Sequence, residues 1–145
     1  MARPRPVVPV RGGDVWVRAW YRGGGSGLDW TDPGHAKEIA YHERGPVDAT
    51  RFTMGGSWSV YWYNGSIVSS EIARGLDIAD LIPTEHISQN EIDAAKTVRW
   101  TYLNAQGQPQ IEWPNSFPLA KWFVDQLEST TLLSEARLSA VRKSL

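Results

Sequence analysis

The sequence predicts a mainly β chain with a helical C-terminal tail. Three observations carry this. Runs rich in Val, Trp and Tyr recur between residues 15 and 80, as strands on packed pleated surfaces require. Those runs are separated by Gly-rich, Asp-Pro and Asn-Gly segments, which turn the chain back on itself. After Pro83 the apolar residues recur at helical spacing behind an N-terminal capping signal.

Residues 1–14 are rich in Pro, Arg and Gly and show no period; they read as a disordered or poorly packed lead-in. Val15, Val17 and Ala19 then alternate with Trp16, Arg18 and Trp20, bulk on both faces that predicts a strand buried on two sides. Gly23-Gly24-Gly25 breaks the run. Gly27 to Trp30 reads as a second strand, Thr31-Asp32-Pro33-Gly34 as a turn with Asp capping its own backbone, and Lys37 to His42 as a third strand ended by Gly45-Pro46. Gly55-Gly56 opens the next unit. Trp58 to Tyr63 is an aromatic strand, Asn64-Gly65 a type I′ hairpin turn, Ser66 to Ile72 the returning strand, and Arg74 to Ile78 another.

The region from residue 83 to 145 reads as helical. Ser88-Gln89-Asn90-Glu91 is a capping box, followed by an apolar stripe of Ile92, Ala95 and Val98 or Trp100. Gln106 to Pro109 is loop. Asn115 or Ser116 caps a second helix with an apolar face of Phe117, Ala120, Phe123, Val124 and Leu127, Pro118 falling in its first turn. A short third helix after Ser134 presents Leu138, Val141 and Leu145.

The β region, 15–82, contains an internal echo. Ala19-Trp20-Tyr21 before Gly27-Leu28-Asp29-Trp30-Thr31-Asp32 parallels Tyr61-Trp62-Tyr63 before Gly75-Leu76-Asp77-Ile78-Ala79-Asp80. Repeats of roughly 40 residues made of short strands signal a propeller or a solenoid, and four strands per repeat favours the propeller. The expectation is about two propeller-blade-like antiparallel sheets, an incomplete β-propeller. The stretch from Gly27-Leu28-Asp29-Trp30-Thr31-Asp32-Pro33 to Glu38-Ile39-Ala40-Tyr41 resembles the LVIVD repeat. Gly55-Gly56-Ser57-Trp58 through Asn64-Gly65 and Glu71-Ile72-Ala73-Arg74-Gly75-Leu76-Asp77 is similar to the final repeat of actinobacterial members, as is the tail with Gln89-Asn90-Glu91-Ile92 and Asn104-Ala105-Gln106. The resemblance spans roughly residues 15–145. It implies a piece of a large, generally secreted bacterial β-propeller and brings no catalytic residues with it. Two repeat-like units are present where propellers have about 4 to 8 blades, and Asp29 and Asp77 stand where the repeat has apolar residues. The chain therefore reads as the C-terminal part of such a propeller, from a truncated, internally started or disrupted reading frame.

Composition excludes several classes. Lys plus Arg number 15 against 16 Asp plus Glu, which gives no electrostatic footprint for nucleic acid. With no Cys there is no disulfide framework, thiol nucleophile or thiolate metal site. No apolar run approaches the roughly 20 residues of a membrane span, and the N-terminus shows no signal-peptide apolar region; localisation stays open.

The sequence offers several candidate sites and no cofactor. Trp58, Tyr61, Trp62 and Tyr63, with Trp16, Trp20 and Tyr21 nearby, form a candidate ligand or partner surface for carbohydrate or protein; alternation sends Trp62 to one face and Tyr61 and Tyr63 to the other. Asp29, Asp32, Asp77 and Asp80 recur at equivalent repeat positions; a calcium site competes with turn-capping, and repetition at structural positions favours capping. His35, His42 and His86 lack metal-ligand spacing. Asn64-Gly65-Ser66 matches a glycosylation sequon but lies in a tight hairpin. Gly-x-Ser-x-Gly and a phosphate loop are absent. The expected function is a non-enzymatic scaffold or interaction module, with a protein partner or self-association through exposed sheet edges. The alternatives are an aromatic-rich carbohydrate or cell-surface binding module, and a hydrolase fragment in which Glu71 and Asp77 share one cleft.

Overall fold

The structure, a computed structural model, describes residues 7–8, 15–30, 32–104, 111–129 and 133–145. Outside them fall Thr31 of the Asp-Pro turn, Gln106 to Pro109 and most of the N-terminal lead-in. Within that lead-in Val7–Val8 (β1) forms a short edge strand, pairing Val7 with Trp16 and Val8 with Val15. The strands run in sequence order through two antiparallel meanders, followed by helices. The first sheet has the order β1-β2-β3-β4 and the second β5-β6-β7.

In the first sheet Val15–Ala19 (β2) pairs with Gly25–Asp29 (β3), and β3 with Lys37–His42 (β4). The β2–β3 turn closes with Trp20 N–H donating to Gly24 O at 2.9 Å and Gly24 N–H to Tyr21 O at 3.0 Å. Gly24 has φ +69°, and a Cβ there would lie 2.0 Å from His42 O. Only glycine fits, so the strand begins at Gly25, earlier than the sequence reading placed it. The predicted two-sided burial of β2 does not hold. Val15 and Val17 are buried, but Trp16 and Arg18 on the other face are only partly so, and Trp20 just past the strand is 45% exposed. That face is tied together by the Arg18 guanidinium, 4.1 Å from the Trp20 ring centroid and 5.2 Å from that of Trp16, a cation–π arrangement that tolerates water.

The second sheet comprises Ser57–Tyr63 (β5), Ser66–Glu71 (β6) and Gly75–Ala79 (β7). Asn64 and Gly65 have φ of +50° and +97°, both left-handed as a type I′ turn demands. Gly-Leu-Asp falls in the third strand of each sheet, in β3 for Leu28 and in β7 for Leu76. The other half of the echo is displaced. Ala19-Trp20-Tyr21 lies one strand before Gly-Leu-Asp, whereas Tyr61-Trp62-Tyr63 lies two before it, because the Asn64-Gly65 hairpin inserts β6.

The sheets are stitched at one corner by an isolated bridge between Tyr21 and Ser57, with amide-to-carbonyl distances of 3.0 and 2.8 Å. Gly56, at φ +103°, makes this approach possible; a Cβ there would sit 2.0 Å from Tyr21 O. Val15, Val17 and Ile39 from the first sheet then share one core with Val60 and Trp62 from the second.

The helices complete that core. Gln89–Thr97 (α1) begins with the predicted capping box: Glu91 N–H donates to Ser88 Oγ at 3.1 Å, and Ser88 N–H to Glu91 Oε2 at 3.3 Å. Ile92, Ala94 and Ala95 join the same cluster as Val60 and Trp62, together with Leu119 and Trp122 of Phe117–Ser129 (α2). Two sequence readings need correction. Trp100 lies beyond the end of α1 rather than on its stripe. The buried face of α2 is Leu119, Trp122 and Val124, while Phe117 is 68% exposed; Trp122 stacks on Trp113 at 5.7 Å at the margin of the shared core. In Glu135–Ser144 (α3), Leu138 is buried and Val141 exposed.

Candidate functional site

The four predicted aromatic residues go to three different places. Trp62 is 2% exposed and lies in the core, so it cannot be part of a ligand surface. Its side chain points inward with that of Val60, as strand alternation requires. Trp58 escapes the alternation. A register shift between Ser57 and Ser59 makes it the extra residue of a β-bulge, and the bulge aims its ring outward, 62% exposed. There it meets Tyr21 edge-to-face at 5.5 Å. Tyr61 and Tyr63 occupy the opposite face from Trp62. With Val68, Thr101, Tyr102 and Leu103 they line a shallow groove, and Tyr63 Oη donates to Trp100 O at 3.3 Å.

That outer face continues to the edge of the sheet. The register sets Tyr61 opposite Val68 and Val68 opposite Ile78. Ile78 is 68% exposed and Leu76 62%. Strand β7 pairs only with β6 among the described residues, leaving its outer edge open. The sequence marks this strand as the last before the helical region, and in the structure it is the outer strand of its sheet.

Glu71 and Asp77 do share one cavity. They project from the same face, since Glu71 is opposite Gly75 and Ser69 is opposite Asp77, and both line a cavity of about 200 Å³ between the sheets. Their bonding, however, is structural. Glu71 is buried; its Oε1 accepts from Gly56 N–H, and its Oε2 from Ala73 N–H at 3.0 Å and from Arg74 N–H. The Gly56 amide above all, then those of Arg74 and Ala73 and the Arg74 charge, hold the carboxyl below the usual glutamate range against the opposing effect of desolvation. It is thus an ionised clamp joining the β6–β7 turn to the sheet junction. Asp77 receives Arg44 Nη1 at 2.7 Å. Glu71, held ionised by three amides, is not set up as a proton donor at neutral pH.

The remaining candidates also have separate partners. Asp32 caps the turn, accepting from Gly34 N–H at 2.9 Å and meeting His35 Nδ1 at 2.7 Å; the histidine first, then the amide, lower its pKa. Asp80 accepts from Ser66 Oγ at 3.1 Å. His86 lies 3.4 Å from Glu85, far in sequence from His35 and His42. Among the described residues no group of three or more His, Cys, Asp or Glu side chains is placed to hold a metal ion.

Asn64 has a role that the hairpin motif concealed. Its Oδ1 accepts from Trp100 N–H at 2.7 Å and its Nδ2 donates to Trp100 O at 3.0 Å. The amide nitrogen of the sequon is therefore engaged in holding the hairpin tip to the segment after α1. No described helix is long and apolar enough to cross a membrane. No family model matches the chain, and neither a curated protein nor a solved structure matches it.

Proposed function

We propose that this chain is a non-enzymatic scaffold or interaction module, the C-terminal part of a β-propeller of the LVIVD-repeat kind, and that it engages its partner through the open edge of β7. Two consecutive meanders packed through a shared core support the propeller reading, since neighbouring blades are such meanders. The observation that carries the interaction is the free β7 edge with Leu76 and Ile78 exposed beside it. An edge of this kind presents unpaired amides and carbonyls to another strand and is ordinarily blunted by charge or covered. Here the side chains on the outer face, Leu76 and Ile78, are apolar, while Asp77 between them faces inward and pairs with Arg44.

Size-exclusion chromatography with light scattering on the full chain tests the reading. The wild type is expected to self-associate with rising concentration, and Ile78→Lys to shift it to monomer with an unchanged circular dichroism spectrum. A wild type that stays monomeric and melts cooperatively at every concentration would overturn it.

A second reading, a carbohydrate or cell-surface binding module, is favoured by one feature, the outward Trp58 ring braced by Tyr21. Exposed indoles stack well on sugar faces. Glycan-array binding lost in Trp58→Ala with the fold intact supports it, and no glycan bound by the wild type removes it.

A further inference from the structure

We infer that the cavity between the two sheets is a binding site for a small, uncharged, mostly apolar molecule carrying one hydrogen-bond acceptor. Each of the six strands β2 to β7 contributes to its wall. The space exists because the facing positions are small. Gly25 and Gly27 bring no side chain from the middle strand of the first sheet, and Ala40 and Ala79 bring only methyl groups. At about 200 Å³ it has room for a ring the size of benzene, which fits a cavity of roughly 150 Å³.

The polar groups in the wall define the ligand. Glu71 spends its oxygens on Gly56, Ala73 and Arg74 amides. Asp77 is neutralised by Arg44, whose side chain is 43% exposed and forms the rim. Arg22, Arg44 and Arg74 stand in the wall with Glu43, Glu71, Asp77 and Asp80, charges of both signs close to balance that reward neither an anionic nor a cationic guest. Ser57 and Ser69 differ. Both are buried, and their hydroxyls lie 2.6 Å apart. Their mutual bond uses only one of the two hydroxyl protons, so the second is free to donate to a guest. A carbonyl or ether oxygen on a ring the size of benzene satisfies it, while the remaining wall, with Val17, Val60 and Ile67, meets the apolar part.

Benzene and cyclohexanone are the probes, titrated into the full chain and followed by amide chemical-shift changes in two-dimensional NMR. Both should bind saturably and move the resonances of Val60, Ile67 and Ser69. Cyclohexanone should bind about three- to tenfold more tightly, the worth of one net hydrogen bond. Ala79→Leu fills the cavity and should abolish both titrations with a dispersed, native spectrum; Ala40→Leu serves the same purpose from the other sheet if Ala79→Leu does not fold. Replacing both hydroxyls, Ser57→Ala with Ser69→Ala, should erase the preference for cyclohexanone while benzene still binds. Absence of saturable binding to the wild type, or unchanged binding in a folded cavity-filling variant, overturns the site. A preference that survives loss of both hydroxyls overturns the acceptor requirement.

Discussion

The two sheets are built as the same kind of meander but are completed by different means. The first is finished by local strand pairing. It has four strands, and its outer face is bound together by Arg18 of β2 lying between Trp16 and Trp20, the residue just past that strand's end. The second stops at three strands and is held by contacts from far along the chain. Asn64 grips Trp100, a separation of 36 residues, and Trp62 is enclosed in a core shared with Ile92 and Trp122 of the helices. The difference teaches that the helical region is no detachable appendage. Its residues share one core with both sheets, and at the second it also holds the hairpin tip, while β7 pairs only with β6 among the described residues.

If that account is right, truncating the inner face of the second sheet should cost most. Trp62→Ala is expected to lose about 3–5 kcal/mol in urea unfolding, with loss of helical signal in the same transition. Val17→Ala, the corresponding change in the first sheet, should lose no more than about 3 kcal/mol. Separate transitions for helix and sheet signals in the wild type would break the comparison.

Next is the clamp at the junction. Glu71→Ala strips the partner from three amides, Gly56, Ala73 and Arg74, and should lower the melting temperature clearly. Because the folded carboxyl titrates below its ordinary range, its stabilisation is fully present above the unfolded value of about 4.3 and is lost as pH falls through the folded pKa. The melting temperature of the wild type should therefore drop on acidification. Part of that drop belongs to Asp32 and Asp48, whose pKa values are also lowered. Glu71→Gln should flatten the profile but not remove its slope, and a profile identical to the wild type would remove Glu71 from the account.

Asn64→Gly keeps the left-handed turn and deletes both bonds to Trp100. The expected loss is about 1–2 kcal/mol, read as increased hydrogen exchange at Trp100 and little change in β2–β4. The smallest effect falls in the helices. Burial raises the pKa of Glu91, with Asp29 and Asp125 adding to it against the Ser88 amide. A raised carboxyl pKa costs stability above the unfolded value and the cost fades as the group protonates. Glu91→Gln can keep the capping box and should gain at most about 0.5 kcal/mol at neutral pH, solvent screening most of the charge effect. A gain that persists unchanged in acid would contradict this cause.

The candidate site was legible only in part. The aromatic run of β5 named the right residues, but period-2 alternation would have put Trp58 on the inner side with Val60 and Trp62. The bulge between Ser57 and Ser59 reversed it. A bulge depends on the partner strand and has no fixed sequence mark here. Glu71 and Asp77 line one cavity, the condition the hydrolase alternative sets, yet their use as a backbone clamp and an ion pair depends on Gly56 and on Arg44, 15 and 33 residues away.

The sequence by itself determined the local elements: the Asn64-Gly65 turn, the Asp32 cap, the Ser88–Glu91 capping box and the change from strands to helices. Each is fixed by the φ preference of one or two residues or by hydrogen bonds across three or four, so a short window contains its cause. Only the tertiary structure decided which side of β2 stays wet, where α2 turns its buried face, and that the two meanders enclose a cavity under a shared core. Those outcomes depend on which distant surface each face meets: α2 turns Leu119 and Trp122 into the core shared by both sheets, and the sheets follow the Tyr21–Ser57 bridge that Gly56 permits. Hydrophobic period shows that a face is apolar, and the choice of its neighbour belongs to the fold as a whole.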